Sequence, residues 1–389
     1  MFQLGVPDVS PLRILIDYRP ALRQRTGVGE YVHELAASYV AFQRSQPVGV
    51  PCDTVTLFSS SWKDRLEPGR IPGAAIRDRR VPVRLLNLAW HRLGWPPVES
   101  LTRGQFDVVH SSHPLLVPSR RGAQVITIHD LDFLDHPERT EREVRRDYPI
   151  LAGRHARRAD QIVVSSRFTA GEVERRLHVT PDRIALVRPG APPWQPRERQ
   201  PVGGYLLFLG TLEPRKNVGA LLEAYAALPG RLQDAASLVL AGSAPASAAP
   251  WLEALGRPPF RGRARHLGYV PSTRREDLYR GARALVVPSL HEGFGLPALE
   301  AMTVGVPVIA ARRGALPELI GDAGLLFDPA DRAGLIGALE RALTDDRWAE
   351  DAAARGVQRA RQYTWTSAAQ ALAAAYRRAV ELRHGRRDG

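Results

Sequence analysis

The sequence predicts an α/β protein with two halves, each built on a parallel sheet that helices cover. Short apolar runs alternate with helical patterns along most of the 389 residues, which is typical of parallel strands joined by helical crossovers. A proline-rich segment, residues 188–204, interrupts this alternation and indicates a domain boundary. The length is also large for one domain and suitable for two.

The first half contains six apolar runs that we interpret as strands and three helical patterns. The predicted strands are residues 12–16, 54–58, 106–110, 124–128, 161–164 and 184–187. The predicted helices are residues 29–41, 141–157 and 167–177. Residues 66–102 show no regular pattern and receive no assignment.

The alternation restarts after the proline-rich segment. The predicted strands are residues 205–209, 237–241, 266–270, 284–287, 306–310 and 325–327. The predicted helices are residues 218–227, 275–280, 297–304, 332–343, 348–362 and 368–383. The last helix is rich in alanine and basic at its end.

Residues 284–309 have the features of an anion site. Gly293 and Gly295 let the backbone approach a ligand closely, because neither has a Cβ. Pro297 suits the first turn of a helix, and that helix ends before Gly305. A helix start behind a glycine loop presents unpaired N–H groups, which favour a diphosphate.

Two carboxylates flank this predicted anion site. Glu292 follows a buried strand, at the sheet edge where open α/β sheets bind ligands. Glu300 falls in the predicted first helical turn, where an acid can also serve only to complement the helix dipole. Acids on both sides of a diphosphate suit the hydroxyl groups of a ribose and a sugar, so the stretch predicts a nucleotide-sugar site.

The string His291-Glu-Gly-Phe-Gly-Leu-Pro-Ala-Leu-Glu300, followed by Gly305-Val-Pro-Val308, resembles the signature of family 4 retaining glycosyltransferases. The resemblance covers nearly the whole chain. It implies the GT-B fold, in which two Rossmann-like domains face a cleft. It also implies an acceptor-binding domain at residues 1–195, a nucleotide-sugar-binding domain at residues 196–365, and a final helix at residues 366–389 that crosses back to the first domain.

Arg215 and Lys216 follow the first strand of the second half. Lys216 is one of two lysines among 54 basic residues, the other being Lys63. A lysine in a chain that otherwise uses arginine indicates a need for a compact cation, although incidental basic residues in a loop are the alternative. The family has an Arg-Lys pair at the leaving diphosphate. Many members also have an arginine directly after the glycine, where this chain has Thr211 after Gly210, so we expect Arg215 and Lys216 to carry the charge.

Two sites are predicted in the first half. Gly27 and Gly29 open the first helix after the first strand, and in the family this loop closes over the diphosphate; a plain turn is the alternative. His129 falls just past a buried strand and resembles the histidine that contacts the sugar. Asp130 and Asp132 match a metal-binding Asp-x-Asp pattern, which we interpret as coincidence because the Arg-Lys pair does the same electrostatic work.

The resemblance implies roles for the remaining candidates. Glu292, His129, Arg215 and Lys216 are expected to be catalytic. The expected donor-binding residues are Gly27, Gly29, Gly210, Thr211, Ser243, Tyr269, Val270, Gly293, Phe294, Gly295, Leu296 and Glu300. We expect no cofactor and no metal.

The sequence around His129 and Lys216 looks most like that of bacterial polysaccharide mannosyltransferases and rhamnosyltransferases. We therefore expect hexosyl transfer, with mannosyl from GDP-mannose, to a saccharide or lipid-linked saccharide with retention of configuration. The alternatives are a sugar-nucleotide epimerase and a non-catalytic nucleotide-sugar-binding protein on the same fold. A phosphorylase would need a pyridoxal-phosphate lysine, and a dehydrogenase a Gly-x-Gly-x-x-Gly run, which is absent from the sequence.

The net charge of +13 is spread over both halves and accompanies no nucleic-acid-binding motif. We expect peripheral contact with an anionic membrane in preference to nucleic acid, while an arginine-rich proteome is a third explanation. The single cysteine, Cys52, excludes an intramolecular disulfide. No signal peptide or apolar run of membrane-spanning length is evident, so we expect a cytoplasmic protein, at the inner face of the cell membrane where it contacts lipid.

Overall fold

The computed structural model describes residues 10–22, 25, 27–139 and 142–386. In its first half the strands are β1 (Arg13–Asp17), β2 (Thr54–Ser60), β3 (Ala75–Arg79), β4 (Val108–Ser111), β5 (Ala123–Ile128), β6 (Gln161–Val164) and β7 (Ile184–Leu186). The helices are α1 (Gly27–Arg44), α2 (Val83–Leu88), α3 (Val98–Thr102), α4 (Asp132–Asp135), α5 (Arg142–Arg158) and α6 (Arg167–Leu177). A π-helical turn, Ala89–Leu93, continues α2.

The second half repeats the alternation. Its strands are β8 (Tyr205–Leu209), β9 (Leu238–Ala241), β10 (Ala264–His266), β11 (Ala282–Val287), β12 (Val308–Ala311) and β13 (Gly324–Phe327). Its helices are α7 (Val218–Ala226), α8 (Gly230–Ala235), α9 (Ala249–Leu255), α10 (Ser272–Arg280), α11 (Leu296–Val304), α12 (Leu316–Ile320), α13 (Arg332–Thr344), α14 (Asp346–Ala360) and α15 (Trp365–Gly385).

Both sheets are parallel throughout, which confirms the predicted α/β class. The strand orders are β3-β2-β1-β4-β5-β6-β7 and β10-β9-β8-β11-β12-β13. The order reverses between β1 and β4 in the first sheet and between β8 and β11 in the second. Ligands of open parallel sheets bind at the carboxyl ends of strands beside such reversals, so each half offers one site.

Apolar residues cover both faces of each sheet, as parallel strands require. In the first half, α1 and α15 pack on one face, and α2, α5 and α6 pack on the other. In the second half, α7, α13 and α14 cover one face, and α10, α11 and α12 cover the other. Among the described residues, no helix combines the length and apolarity needed to cross a membrane.

Most predicted elements are present, although helices α4, α8, α9 and α12 were not predicted. Three further differences concern a predicted strand, the unassigned region and the start of a predicted helix. The strand predicted at residues 266–270 is wrong: β10 ends at His266, because Gly268 has a left-handed φ of 69°. The unassigned residues 66–102 contain β3, α2, the π-helical turn and α3. The helix predicted from residue 141 begins at Arg142 among the described residues, and Glu141 lies outside them.

The final helix crosses back to the first half. Its start packs against Gly190, where a Cβ would lie 2.2 Å from the backbone nitrogen of Trp365. Along α15, Tyr376 donates to or accepts from His110 Nδ1 at 2.8 Å. Helix α15 thereby completes the hydrophobic core around Tyr39. The domain boundaries at residues 195 and 365 stay predictions.

A buried carboxylate ties α15 to the first sheet. Asp53 accepts hydrogen bonds from the Leu12 backbone N–H at 2.8 Å, the Tyr39 hydroxyl at 2.6 Å and Arg377 Nη2 at 2.7 Å. Its side chain is wholly buried, whereas Arg377 is 30% exposed. The buried carboxylate of Asp53 is therefore paired with a cation that reaches the protein surface.

Arg377→Ala should lower the free energy of unfolding by about 2 kcal/mol, because it leaves a buried carboxylate without its cation. Urea unfolding measures this change. Arg378→Ala is the matched control: its pairs with Glu381 and Asp182 are both exposed and should together contribute less than about 1 kcal/mol. Equal losses in the two variants would contradict the role given to Asp53.

The stability should also fall in mild acid because of buried His110. Burial lowers its pKa to about 3, below the ordinary value of 6.5. Between these pH values the unfolded chain binds a proton that the folded chain does not, so each pH unit of acidification costs up to about 1.4 kcal/mol for this group. In His110→Gln, the slope of the unfolding free energy against pH between pH 6 and 4 should be smaller by up to about 1.4 kcal/mol per pH unit, which corresponds to one proton. An unchanged slope would contradict this assignment.

Candidate active site

A cavity of about 260 Å³ lies between the two halves, at the carboxyl ends of their strands. All of the predicted site residues except Gly29 line it. They are Gly27, His129, Gly210, Thr211, Arg215, Lys216, Ser243, Tyr269, Val270, Glu292, Gly293, Phe294, Gly295, Leu296 and Glu300. Both sheets therefore contribute to one site.

The loop between β11 and α11 needs its glycines for close packing. A Cβ on Gly293 would lie 1.8 Å from the backbone oxygen of His129, so only glycine fits between the halves. Gly295 has a left-handed φ of 103°, and a Cβ there would lie 2.8 Å from Leu316. The loop thus brings the start of α11 against the first half.

The carbonyl of Gly293 is held by hydroxyl groups of the first half. Ser166 donates to it at 2.7 Å, and Ser165 and Thr169 each do so at 3.3 Å. Ser166 also caps α6 by accepting from the Thr169 backbone N–H. The glycine loop is therefore fixed by the end of β6 and the start of α6.

The start of α11 presents unpaired donors. Within the described part of the chain, the N–H groups of Gly295 and Leu296 have no acceptor, and Pro297 follows at the second helical position. These groups and the helix dipole favour an anion at this point.

Lys216 and Glu292 meet across the reversal between β8 and β11. Lys216 Nζ lies 2.5 Å from Glu292 Oε1, which also accepts from Ser289 Oγ at 2.8 Å. Burial raises the pKa of Glu292, but Lys216 and Arg215 outweigh burial and hold it below its ordinary value. Glu292 is therefore ionised at neutral pH and orients the lysine.

Arg215 is the second cation of the cavity. Its Nε donates to Glu213 Oε1 at 2.6 Å, and its Nη1 lies 3.6 Å from Asp130 Oδ2. Burial lowers the pKa of Arg215, whereas the carboxylates of Asp130 and Glu213 raise it above its ordinary value overall. One residue of the predicted Asp-x-Asp pattern thus pairs with an arginine, and the other, Asp132, begins α4.

His129 reaches the cavity from the end of β5. Its Nε2 lies 3.2 Å from the Ser112 carbonyl, which fixes the neutral ring with the proton on Nε2 and leaves Nδ1 as an acceptor. Tyr31 packs edge-on against the ring, with centroids 5.3 Å apart. Burial lowers the pKa of His129, so the imidazole is neutral at neutral pH.

Glu300 does not lie in the first turn of its helix, contrary to the prediction. The helix begins at Leu296, so Glu300 is its fifth residue and does not complement the dipole at the helix start. Its two oxygens accept from Arg275 Nη1 at 2.6 Å and from the Tyr279 hydroxyl at 2.8 Å. Burial raises the pKa of Glu300, and Arg275 and Tyr279 offset only part of that effect.

Arg275 also reaches the first half. Its Nη2 lies 3.0 Å from Glu30 Oε2 on α1, in an ion pair that is not aligned as a hydrogen bond. Arg275 therefore lies between an acid of each half. Sequence reasoning missed it, because an arginine on a polar helix gives no local signal of its partners.

The predicted residues near α1 and β9 have different roles. Gly27 lines the cavity, whereas a Cβ on Gly29 would lie 2.7 Å from the Pro20 carbonyl, so Gly29 serves packing. Ser243 follows Gly242, where an added Cβ would lie 2.0 Å from the Gly210 carbonyl oxygen, so Gly242 serves close packing. Ser165 and Gly242 also line the cavity but were not predicted from the sequence. Both follow buried strands, and that position could have indicated a ligand-binding role.

Gly293→Ala should lower the free energy of unfolding by about 2 kcal/mol, because its Cβ collides with the His129 carbonyl. Urea unfolding measures the loss, and small-angle scattering should show the halves moving apart. Gly171→Ala in α6 is the control: it meets no atom within 4 Å and should stabilise by about 0.5–1 kcal/mol. A Gly293→Ala protein as stable and compact as the parent would refute this packing.

Two family descriptions match the chain, one in each half. Glycosyltransferase Family 4 matches residues 25–194, and Glycosyl transferases group 1 matches residues 203–345. O-antigen chain mannosyltransferase B of Escherichia coli is 35% identical over 271 residues, covering 67% of this chain and 71% of the relative. D-inositol 3-phosphate glycosyltransferase 2 of Catenulispora acidiphila is 31% identical over 323 residues, covering 72% of each.

The fold also matches a solved structure. Sucrose-phosphate synthase of Thermosynechococcus elongatus is 20% identical and has a TM-score of 0.73, with 95% of this chain and 98% of that chain covered. At this identity the likeness concerns the fold alone, and it confirms the predicted GT-B architecture.

Proposed function

The chain belongs to the family 4 glycosyltransferases, and we propose that it transfers a mannosyl group from GDP-mannose to a hydroxyl of a saccharide or lipid-linked saccharide. The observation that carries the proposal is the cavity between the halves. It brings together a Lys-Glu pair, an arginine, a helix start with free N–H groups and a neutral histidine.

The chemistry proposed for the donor is stabilisation of a leaving diphosphate. Lys216, Arg215 and the N–H groups at the start of α11 converge from separate elements on the cavity. Fixed positive charge stabilises the charge that develops as the sugar leaves, without reorganisation at that moment. These cations supply what a metal ion supplies in other enzymes, so we propose a metal-independent reaction.

The sugar is proposed to lie between His129 and Glu292. Glu292 would accept hydrogen bonds from sugar hydroxyls with the oxygen that Lys216 leaves available. The Nδ1 lone pair of neutral His129 would face the sugar or its developing positive charge. We propose retention of configuration from the resemblance to the retaining family, with the leaving phosphate taking the acceptor proton. The acids described above are each paired with a cation, which disfavours a carboxylate nucleophile.

The mannosyl and saccharide assignments rest on the relatives. An O-antigen chain mannosyltransferase matches over two thirds of both chains, and its name gives the sugar moved and the product class. For the ribose, we propose Glu300 together with Arg275. Because Arg275 already bonds Glu300, the ribose diol would share or replace that contact.

A donor panel tests the substrate directly. GDP-mannose should raise the melting temperature more than UDP-, dTDP- or GDP-linked sugars other than mannose. Release of GDP from GDP-mannose should follow when a mannose-terminated oligosaccharide is added, and NMR should show an α-linked product. Binding without GDP release would support a non-catalytic nucleotide-sugar-binding protein, and sugar isomerisation without transfer would support an epimerase.

Lys216→Ala should lower kcat/KM for GDP-mannose by about 100-fold or more, because a preorganised cation at the leaving group is lost. Glu292→Gln should lower it too, since the lysine loses its orienting charge. Lys63→Ala, which removes the other lysine at an exposed position, is the control and should leave kcat/KM unchanged. Full activity in Lys216→Ala would place the chemistry elsewhere.

A further inference from the structure

Four large apolar side chains stand exposed on one short segment of the first half. Leu85, Leu88, Leu93 and Trp95 are 63%, 47%, 76% and 65% exposed, and we call them the flank patch. They make up four of the eleven large apolar side chains exposed in the described part of the chain, although the segment spans eleven residues. Single exposed apolar residues are ordinary, whereas a cluster marks a contact surface.

Core packing does not account for the flank patch. The inner side of α2 and the π-helical turn buries Leu86 and Trp90 against the sheet, with the Trp90 ring 5.5 Å from that of Phe58. The four side chains of the flank patch are instead exposed to solvent. The segment is therefore apolar on two sides, which explains its lack of sequence periodicity and leaves the outer side without an internal partner.

Positive charge borders the flank patch. A cavity of about 330 Å³ reaches Gly94, between Leu93 and Trp95. Its lining includes four arginines and no acid: Arg157, Arg158, Arg383 and Arg386. Buried Asp160 lies 3.9 Å from Arg383 and 3.3 Å from Arg386, which leaves a clear excess of positive charge.

The same side of the molecule extends to α5. Arg92, from the π-helical turn, pairs with Asp147 at 2.9 Å, and one helical turn further along α5 Ile150 is 69% exposed. Exposed Arg154 follows Ile150 by another turn. Apolar and basic side chains are thus interleaved over two neighbouring elements.

We propose that the flank patch and the arginine cavity bind the surface of an anionic lipid bilayer. Leucine and tryptophan side chains insert at the boundary between headgroups and acyl chains, and arginines pair with lipid phosphates. A second copy of the chain is the weaker occupant, because a symmetric interface would bring two sets of arginines together. None of these residues lines the donor cavity, so the inference does not depend on the proposed glycosyl transfer.

Vesicle cosedimentation with the full chain tests the proposal. Vesicles of 30% phosphatidylglycerol in phosphatidylcholine should bind the protein at least tenfold more tightly than pure phosphatidylcholine. The triple variant Leu88→Ser, Leu93→Ser, Trp95→Ser should lose at least tenfold in that binding. Val48→Ser with Val50→Ser is the control, because these exposed valines lie between α1 and β2 and are not part of the flank patch.

Two further measurements keep the test decisive. Arg157→Glu with Arg158→Glu should abolish the preference for anionic vesicles, and 0.5 M salt should weaken binding of the parent protein. Size-exclusion chromatography with light scattering follows the oligomeric state of every variant. Equal vesicle binding by the triple variant and its control would overturn the proposal, as would an effect of the triple variant on self-association alone.

Discussion

The contact between Gly293 and the backbone of His129 is the constraint on which the cavity depends. It places the loop before α11, in the second half, directly against the residue that follows β5, in the first half. The three hydroxyl groups that hold the Gly293 carbonyl fix the same contact from the side of α6. His129, proposed to contact the sugar, and the helix start proposed to bind the diphosphate lie on different halves of the chain, so the proposed site exists only where these backbones touch.

The cations of the cavity are held in place by ion pairs within the protein itself. Lys216 bonds Glu292, Arg215 bonds Glu213, and Arg275 bonds Glu300. Each acid offsets the cost of burying its cation and limits the rotamers that a long side chain can adopt. A diphosphate bound as proposed would therefore meet charges that are already positioned, which is the condition for strong electrostatic stabilisation.

Local patterns predicted much of this site from the sequence, and tertiary contacts decided the rest. Gly293, Lys216 and His129 each follow a buried strand, so the parallel-sheet rule placed each of them at the carboxyl edge of its own sheet. Arg275 had no such signal, since its position between Glu30 and Glu300 depends on how α10 packs against α1 and α11. The secondary structure of residues 66–102 could not be predicted for a physical reason. The helical segment around Trp90 has both buried and exposed apolar side chains, so it shows no helical periodicity.

The return of α15 to the first half has a consequence for how the protein is made. Residues 365–385 are synthesised after the whole of the second half, yet Tyr376 completes the core that surrounds Tyr39 and His110 in the first half. The second half, by contrast, forms from one continuous stretch of sequence, residues 205–360. Until residues 365–385 have been translated, part of the apolar surface of the first half remains uncovered. Only a chain that includes residues 365–385 can cover this surface, so loss of α15 would expose the core of the first half.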